Sequence, residues 1–497
     1  MIGRRFVSVL LALVCLAFAA PSWAGTPLPL NATNIAAKGG ALASPEKLRR
    51  AARVAETSNN LLNPPWTISP ARADTTAYRA GDTVTNAGSM YVATNDGTSG
   101  SGTPPTATNT GAVIGDGSVL WTWLGFPTTT SSDAQAPTFT DLTAATGLSN
   151  DYSPAVFPSI CRVTGGYLTQ VGASRYFEVM GFTKNASALV GDAVGSRIVC
   201  QTDAPKFAIA IGNGSFGLRI YIDGRLYRPG TITPTAGSNR WLTFDFTSTT
   251  GRKVRTIEIE GSKGRWYFGG LAVDGLSQVW PPMVTDGVRA VFIGDSMWAG
   301  SSYGPTGVGT VPQRMCYLLG WDDCRNFSIG GTSSTNAGSG TGSPFYVYGQ
   351  RVPEALALNP DVWLFEGSTN DIGQSSATIT AATRSALQAV RIGGSTAPIF
   401  VFGVWPLNSA SVPTVEAAVQ AGVTQAADPL GRTYFIPMYG DPTLPWVTGA
   451  WNNSANTNSV NATVMISSDA THPPDFGSVY MANRMSRAIK ERLPVIH

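Results

Sequence analysis

The sequence predicts a multidomain protein. A C-terminal α/β domain, with a parallel sheet covered by helices on both faces, follows an antiparallel β-sandwich and a small N-terminal β-module. Three observations carry that expectation. The chain has 497 residues, too many for one ordinary core. Between 150 and 283 the pattern is one of short alternating strands with glycine turns. Near Gly287 it changes to apolar runs of strand length with segments of helical character between them, the pattern of a parallel sheet.

Charged residues are only 13% of the chain, and Gly, Ser, Thr and Asn fill the gap. That composition suits an exported, loop-rich, β-containing protein. The net charge of +3, from 34 basic and 31 acidic residues, points to no phosphate-tracking surface, so no nucleic acid is expected as partner. The first 24 residues read as a secretory signal peptide. Arg4 and Arg5 precede an apolar run from Phe6 to Ala20, and Ser22-Trp23-Ala24 offers small residues for cleavage. No later segment is apolar and long enough to span a bilayer, so a secreted or periplasmic protein without stable membrane insertion is expected. The mature chain keeps Cys161, Cys200, Cys316 and Cys324. An even number in an exported protein predicts two disulfides; of three possible pairings, the local pairs Cys161–Cys200 and Cys316–Cys324 are preferred.

The elements follow in order. Residues 25–65 form an N-terminal segment with one short helical stretch, "PEKLRRAARVAETSNNLL". Residues 66–127 read as short strands with Gly turns and resemble, loosely, the aromatic β-modules of chitin-binding and phage-tail-like proteins. There Trp121 and Trp123 share one strand face; two indoles so placed stack on sugar rings or fill a small core. Residues 128–149 read as a Thr/Ser/Pro-rich linker. In the sandwich, 150–283, "FGLRIYIDGRLY" alternates Leu218, Ile220 and Ile222 against Arg219 and Tyr221 and turns at Asp223-Gly224. The α/β domain, 287–497, has strand candidates in "RAVFIGDS", "CRNFSIGG", "DVWLFEGSTND", "PIFVFGVWPL" and "TYFIPMYG". In such sheets, functional groups collect at the carboxyl ends of the strands.

The chemistry narrows on the histidines. The chain has two, and His497 is its last residue, so a histidine base would be His472. Asp469 precedes it by three, a spacing that aims a carboxylate at Nδ1 and leaves Nε2 for a serine hydroxyl, though it also serves a helix cap. Ser296 ends the run "VFIGDS" at a strand tip. A serine hydroxyl attacks a carbonyl only when a base takes its proton, and the oxyanion then needs donors already in place. Gly330-Gly331 and Asn370, each after a strand, are candidates for that second role. The Gly-x-Ser-x-Gly elbow, a His-Glu-x-x-His pair and a phosphate loop are all absent, so no metal or cofactor is expected.

Together the four stretches resemble the SGNH (GDSL-type) hydrolase family, over about two-fifths of the chain. They also stand in the family's order: Gly294-Asp295-Ser296, the glycine block, the Asn-Asp block, then Asp469-x-x-His472. The resemblance implies a flavodoxin-like three-layer domain. It further implies Ser296 as nucleophile, His472 as base and Asp469 as its orienting carboxylate. The Ser296 N–H, the Gly331 N–H and the Asn370 side chain would form the oxyanion hole. Gly331 is chosen over Gly330 because it lies five residues after Asn326. One departure stands out: the family has glycine two residues before the block-three asparagine, where this chain has Ser368.

An exported domain of this kind behind a sandwich resembles secreted carbohydrate esterases. The expectation is a serine esterase acting on short acyl esters, most simply O-acetyl groups of a carbohydrate. Trp298, Trp446, Trp451, Trp121 and Trp123 are the candidate sugar-contacting residues. Two alternatives stay open: a polysaccharide O-acetyltransferase using the same triad, and a non-enzymatic glycan-binding or phage-tail-like adhesion protein.

Overall fold

The structure is a computed structural model. It describes Leu48 and most of residues 71–493; the stretches 302–308, 339–346 and 448–464, and several shorter ones, lie outside the described residues. So do the expected signal peptide, most of the expected N-terminal helix, Trp451 and His497.

The N-terminal module is a four-stranded antiparallel sheet built from Thr83–Asn86, Ser89–Ala93, Val119–Gly125 and Val113–Asp116, in that spatial order. Its core is small: Tyr78, Val84, Tyr91, Val119 and Trp121. After it come two antiparallel sheets, of seven and six strands, that close on one apolar core including Phe207, Phe244, Ile220, Ile257 and Trp266. In the strand Leu218–Ile222 burial alternates as the sequence pattern requires. It turns through Asp223 (φ 54°) and Gly224 (φ 74°) into Arg225–Leu226, a two-residue hairpin whose left-handed central pair matches strand twist. The linker expectation needs one correction. Thr138–Leu142, inside the Thr/Ser-rich stretch, pairs along its whole length with Arg240–Asp245 as a strand of the seven-stranded sheet. Thr138, Thr140 and Leu142 are exposed, and Phe139 is the one apolar residue that packs on the sandwich core, so the strand shows little of the alternation by which a strand is recognised.

The α/β domain contains five parallel strands: β1 (Arg289–Ile293), β2 (Asp323–Asn326), β3 (Val362–Gly367), β4 (Ile399–Val404) and β5 (Thr433–Ile436). Their order is β2-β1-β3-β4-β5. Among the described residues these helices accompany them: α1 (Ser296–Ala299), α2 (Val311–Leu319), α3 (Tyr348–Leu356), α4 (Ser376–Ile392), α5 (Val412–Ala426) and α6 (Asp475–Lys490). Strand side chains alternate between two cores. Ala290, Phe292, Leu364 and Phe402 pack with Met315 of α2 and Met481 and Met485 of α6. Val291, Ile293, Trp363 and Val401 pack with Val352 of α3, Leu387 of α4 and Val419 of α5. Burial on both faces explains why β1, β3 and β4 read as unbroken apolar runs. Both preferred disulfides are present. Cys161–Cys200 joins two register partners of the sandwich, and Cys316–Cys324 ties α2 to β2.

The sandwich docks on the open edge of the parallel sheet. From β2, Asp323 Oδ1 accepts the Gly165 N–H at 2.7 Å, and Arg325 donates to the Gly166 carbonyl at 2.5 Å. Arg325 also lies over the Tyr167 ring.

Candidate active site

The strand order places a switch point at β1. The chain leaves β1 toward β2 on one side and reaches β3 on the other, so the loops after these three strands open onto a common crevice. Ser296 follows β1, Gly330-Gly331 follows β2 and Asn370 follows β3. Ser296 begins the short helix α1, whose N-cap is Asp295; Asp295 Oδ1 accepts the Met297 N–H at 2.8 Å. The turn buries Met297 and Trp298 and leaves Ser296 half-exposed.

His472 reaches this point from the loop before α6, 176 residues further along the chain. Its Nε2 lies 2.7 Å from Ser296 Oγ, and its Nδ1 lies 2.5 Å from Asp469 Oδ2. The other carboxylate oxygen of Asp469 accepts the Thr471 and His472 backbone N–H groups, each at 3.0 Å, and the Ser467 hydroxyl at 2.5 Å. The three-residue spacing therefore folds into a turn that holds Oδ2 toward the ring. Burial pushes the Asp469 carboxyl up, but the bonds from His472, Ser467 and the backbone outweigh it and hold it below its usual range. The helix-cap alternative is not what the residues do, because α6 has Pro474 at its N-cap.

The glycine block abuts Ser296: a Cβ added to Gly330 would lie 3.5 Å from Ser296 Cβ. Gly331 has φ 75°, a left-handed backbone that other residues adopt at a cost, and it is exposed. Among the described residues the N–H groups of Ser296 and Gly331 meet no hydrogen-bond acceptor. Asn370 is differently placed. Its Nδ2 donates to Asp295 Oδ2 at 3.2 Å and to the Thr332 carbonyl at 3.1 Å. Its neighbour Asp371 accepts the hydroxyls of Ser333, Ser334 and Thr335, which pins the glycine-block loop to the asparagine turn.

Beneath these loops lies a buried polar layer that sequence reasoning did not single out. Arg351 of α3 donates to the Gly294 carbonyl at 2.9 Å, to the Phe327 carbonyl at 2.8 Å and to the Thr332 hydroxyl. One guanidinium thus ties the ends of β1 and β2 together. Burial lowers it to about 10. Glu366, on β3, accepts the Asp295 N–H at 3.1 Å; burial, and then the charge of Asp295, push its carboxyl well above the usual range. Arg351 has no local sequence signal, since it is one arginine on a helix. Ser368 did carry one, as the residue standing where the resembled family has glycine.

The expectation of sugar contact is corrected for Trp298, Trp446 and Trp121. Trp298 is 0% exposed and packs edge-on against Phe292 and Phe402, at 5.5 and 5.9 Å. It belongs to the sheet core and does not wall the crevice. Trp446 is likewise buried, with Arg484 over its ring. Trp121 fills the N-terminal module, edge-on to Tyr78 and bonded to Asp116 through its N–H at 2.9 Å. Trp123 is half-buried and packs against the same core. An indole that stacks on sugar and one that fills a core look alike in sequence; burial separates them.

No protein-family model matches the chain, and no curated protein matches it. Among solved structures, the chain is similar to a salicylyl-acyltransferase from a tetracycline biosynthetic pathway: 14% identity, 70% of this chain and 100% of that one, TM-score 0.49. It is similar to a family two carbohydrate esterase from Clostridium thermocellum in complex with cellohexaose: 16% identity, 67% and 99% covered, TM-score 0.47. It is also similar to an acetyl xylan esterase from the rumen bacterium Butyrivibrio proteoclasticus: 13% identity, 72% and 99% covered, TM-score 0.44. At such scores the likeness carries no conclusion about chemistry.

Proposed function

We propose that the protein is an exported SGNH-type serine esterase that hydrolyses short acyl esters, O-acetyl groups of a carbohydrate above all. The observation that carries this reading is the relay Ser296 Oγ, His472 Nε2, His472 Nδ1, Asp469 Oδ2, at 2.7 and 2.5 Å. His472 takes the hydroxyl proton as Ser296 attacks the ester carbonyl. The Ser296 and Gly331 N–H groups and the Asn370 amide receive the oxyanion. Protonated His472 then gives its proton to the departing sugar hydroxyl, leaving an acyl-enzyme on Ser296. Water, activated by the same base, attacks the acyl carbon and releases the acid. Asp469 holds the ring and stabilises the imidazolium throughout.

The rim supports a hydroxyl-rich substrate. Asn336, on the loop that follows Gly331, is exposed, and Thr369, next to Asn370, is partly accessible; both carry hydrogen-bonding side chains. Export is supported by residues 1–24 and the two disulfides; among the described residues no helix is long and apolar enough to cross a membrane.

The test presents acetylated polysaccharides and synthetic esters of increasing acyl length. Acetate release that falls by about 10⁴-fold or more in Ser296→Ala and in His472→Ala is the expected result. No turnover of any ester, with glycan binding intact, would overturn the reading in favour of an adhesion protein. Acetyl transfer to an added glycan faster than hydrolysis would make the protein a transferase.

A further inference from the structure

Asn370 has a difficulty as an oxyanion donor. A carboxamide has two N–H bonds, and both are committed, to Asp295 Oδ2 and to the Thr332 carbonyl. To serve the substrate, the amide must turn one of them away. The Thr332 carbonyl belongs to the loop backbone. Asp295 is a wholly buried carboxylate that caps the nucleophile's own helix, so it cannot be left with a bare oxygen without disturbing Ser296.

Ser368 resolves this. It is 0% exposed, and its hydroxyl lies 2.6 Å from the same Oδ2 of Asp295. The Thr332 carbonyl is farther, at 3.1 Å, so the single hydroxyl proton goes to the carboxylate. The oxygen also accepts the Asn370 backbone N–H at 3.0 Å, which fixes the asparagine main chain from the other side. Its backbone is ordinary extended chain, φ −102° and ψ 136°, so the turn itself demands neither serine nor glycine.

Resting on the esterase reading, we propose that Ser368 is a positioning residue: it keeps Asp295 bonded and in place when Asn370 passes an amide hydrogen from that carboxylate to the oxyanion. The chain thereby carries, in its one departure from the resembled motif, a support for the oxyanion hole.

A pH profile follows. The groups facing Asp295 are Glu366 of β3, Tyr348 and Arg351 of α3, Asp371 of the turn after β3, and His472 of the loop before α6. Burial pushes the Asp295 carboxyl up, and the Ser368 hydroxyl bond pulls against that. Loss of the hydroxyl removes a bond to the charged form, so the carboxyl rises further and the acid limb of kcat moves to higher pH.

The experiment measures kcat and KM for p-nitrophenyl acetate from acid to neutral pH in the full-length protein, Ser368→Ala and Ser368→Gly. Each rate is normalised to sites titrated with a fluorophosphonate, so any misfolded fraction drops out. Both variants are expected to lose roughly 10- to 100-fold in kcat, less than the ~10²–10³ typical of losing a donor outright, with KM within about twofold. Their acid limbs are expected to move upward. Per-site kcat and acid limb both equal to those of the unaltered protein would overturn the positioning role while leaving the esterase reading standing. An unaltered protein that neither takes the fluorophosphonate nor turns over ester would overturn that reading, and this one with it.

Discussion

At the scale of single residues, two aromatic and acidic side chains show how chemistry and packing divide the work. Asp469 commits one oxygen to its own turn and the other to His472. Asp469→Asn preserves the shape but replaces the charged acceptor, favouring the wrong tautomer of the ring. It is expected to lower kcat by about 10³–10⁴-fold with KM little changed, measured on any ester that the unaltered protein turns over. Trp298, two positions from Ser296, is expected to act on stability instead. It is fully buried between Phe292 and Phe402, so Trp298→Ala should cost about 3–5 kcal/mol in a denaturant titration. If the Ala variant kept its stability and changed only substrate preference, the core assignment would be wrong.

At the scale of elements, the site depends on how three loops leave the sheet. The turn after β2 presents Gly331 at φ 75°, with nothing within 4 Å of an added Cβ. A Gly331→Ala change therefore meets no clash, and its cost is the left-handed backbone alone, about 1–2 kcal/mol. Relaxation of that backbone re-aims the Gly331 N–H. The expected outcome is a small fall in melting temperature with a disproportionate fall in kcat; equal kcat in the alanine variant would remove Gly331 from the oxyanion hole. At this scale much was legible. The apolar runs of β1, β3 and β4 were legible because burial on both faces leaves no polar alternation to interpret. The Asp223-Gly224 hairpin was legible because its turn chemistry is local. Thr138–Leu142 was not, because an edge strand with half-exposed Thr and Asp has the composition of a linker.

At the scale of the whole molecule, the sandwich and the parallel sheet meet through Asp323 and Arg325 on the edge strand β2. Burial pushes the Asp323 carboxyl up, but Arg325, the Gly165 N–H and Arg289 outweigh it and hold it below its usual range. The sign follows directly. A depressed carboxyl contributes stability in full above its unfolded value, about 3.9, and loses it as pH falls through the lower folded value. Asp323→Asn leaves Arg325, 6% exposed, without its buried counter-charge and should cost about 3–5 kcal/mol at neutral pH. Melting curves at pH 7 and pH 3 check this: the variant should fall less between the two than the unaltered protein does. The contact is close as well as charged. Gly165 has φ 69°, and a Cβ there would come within 3.1 Å of the Cys324 carbonyl oxygen of β2, so the docking turn is built for glycine.

The sequence by itself determined the candidate reagents. With His472 and His497 its two histidines, it offers few candidates for a histidine base. The spacing of Asp469 to His472 and the strand-tip position of Ser296 are local features, set by a few neighbouring residues. The tertiary structure alone decided what those reagents touch. It brought Ser296 and His472 to hydrogen-bond distance across 176 residues. It sent Trp298, Trp446 and Trp121 into cores and made Ser368, beside Asn370, the second donor on Asp295 Oδ2. The reason is physical. Turn geometry and strand burial act over a few residues and leave a pattern in the chain. A contact between distant segments depends on where every intervening element packs, and an indole or a hydroxyl has the same formula whichever neighbour it meets.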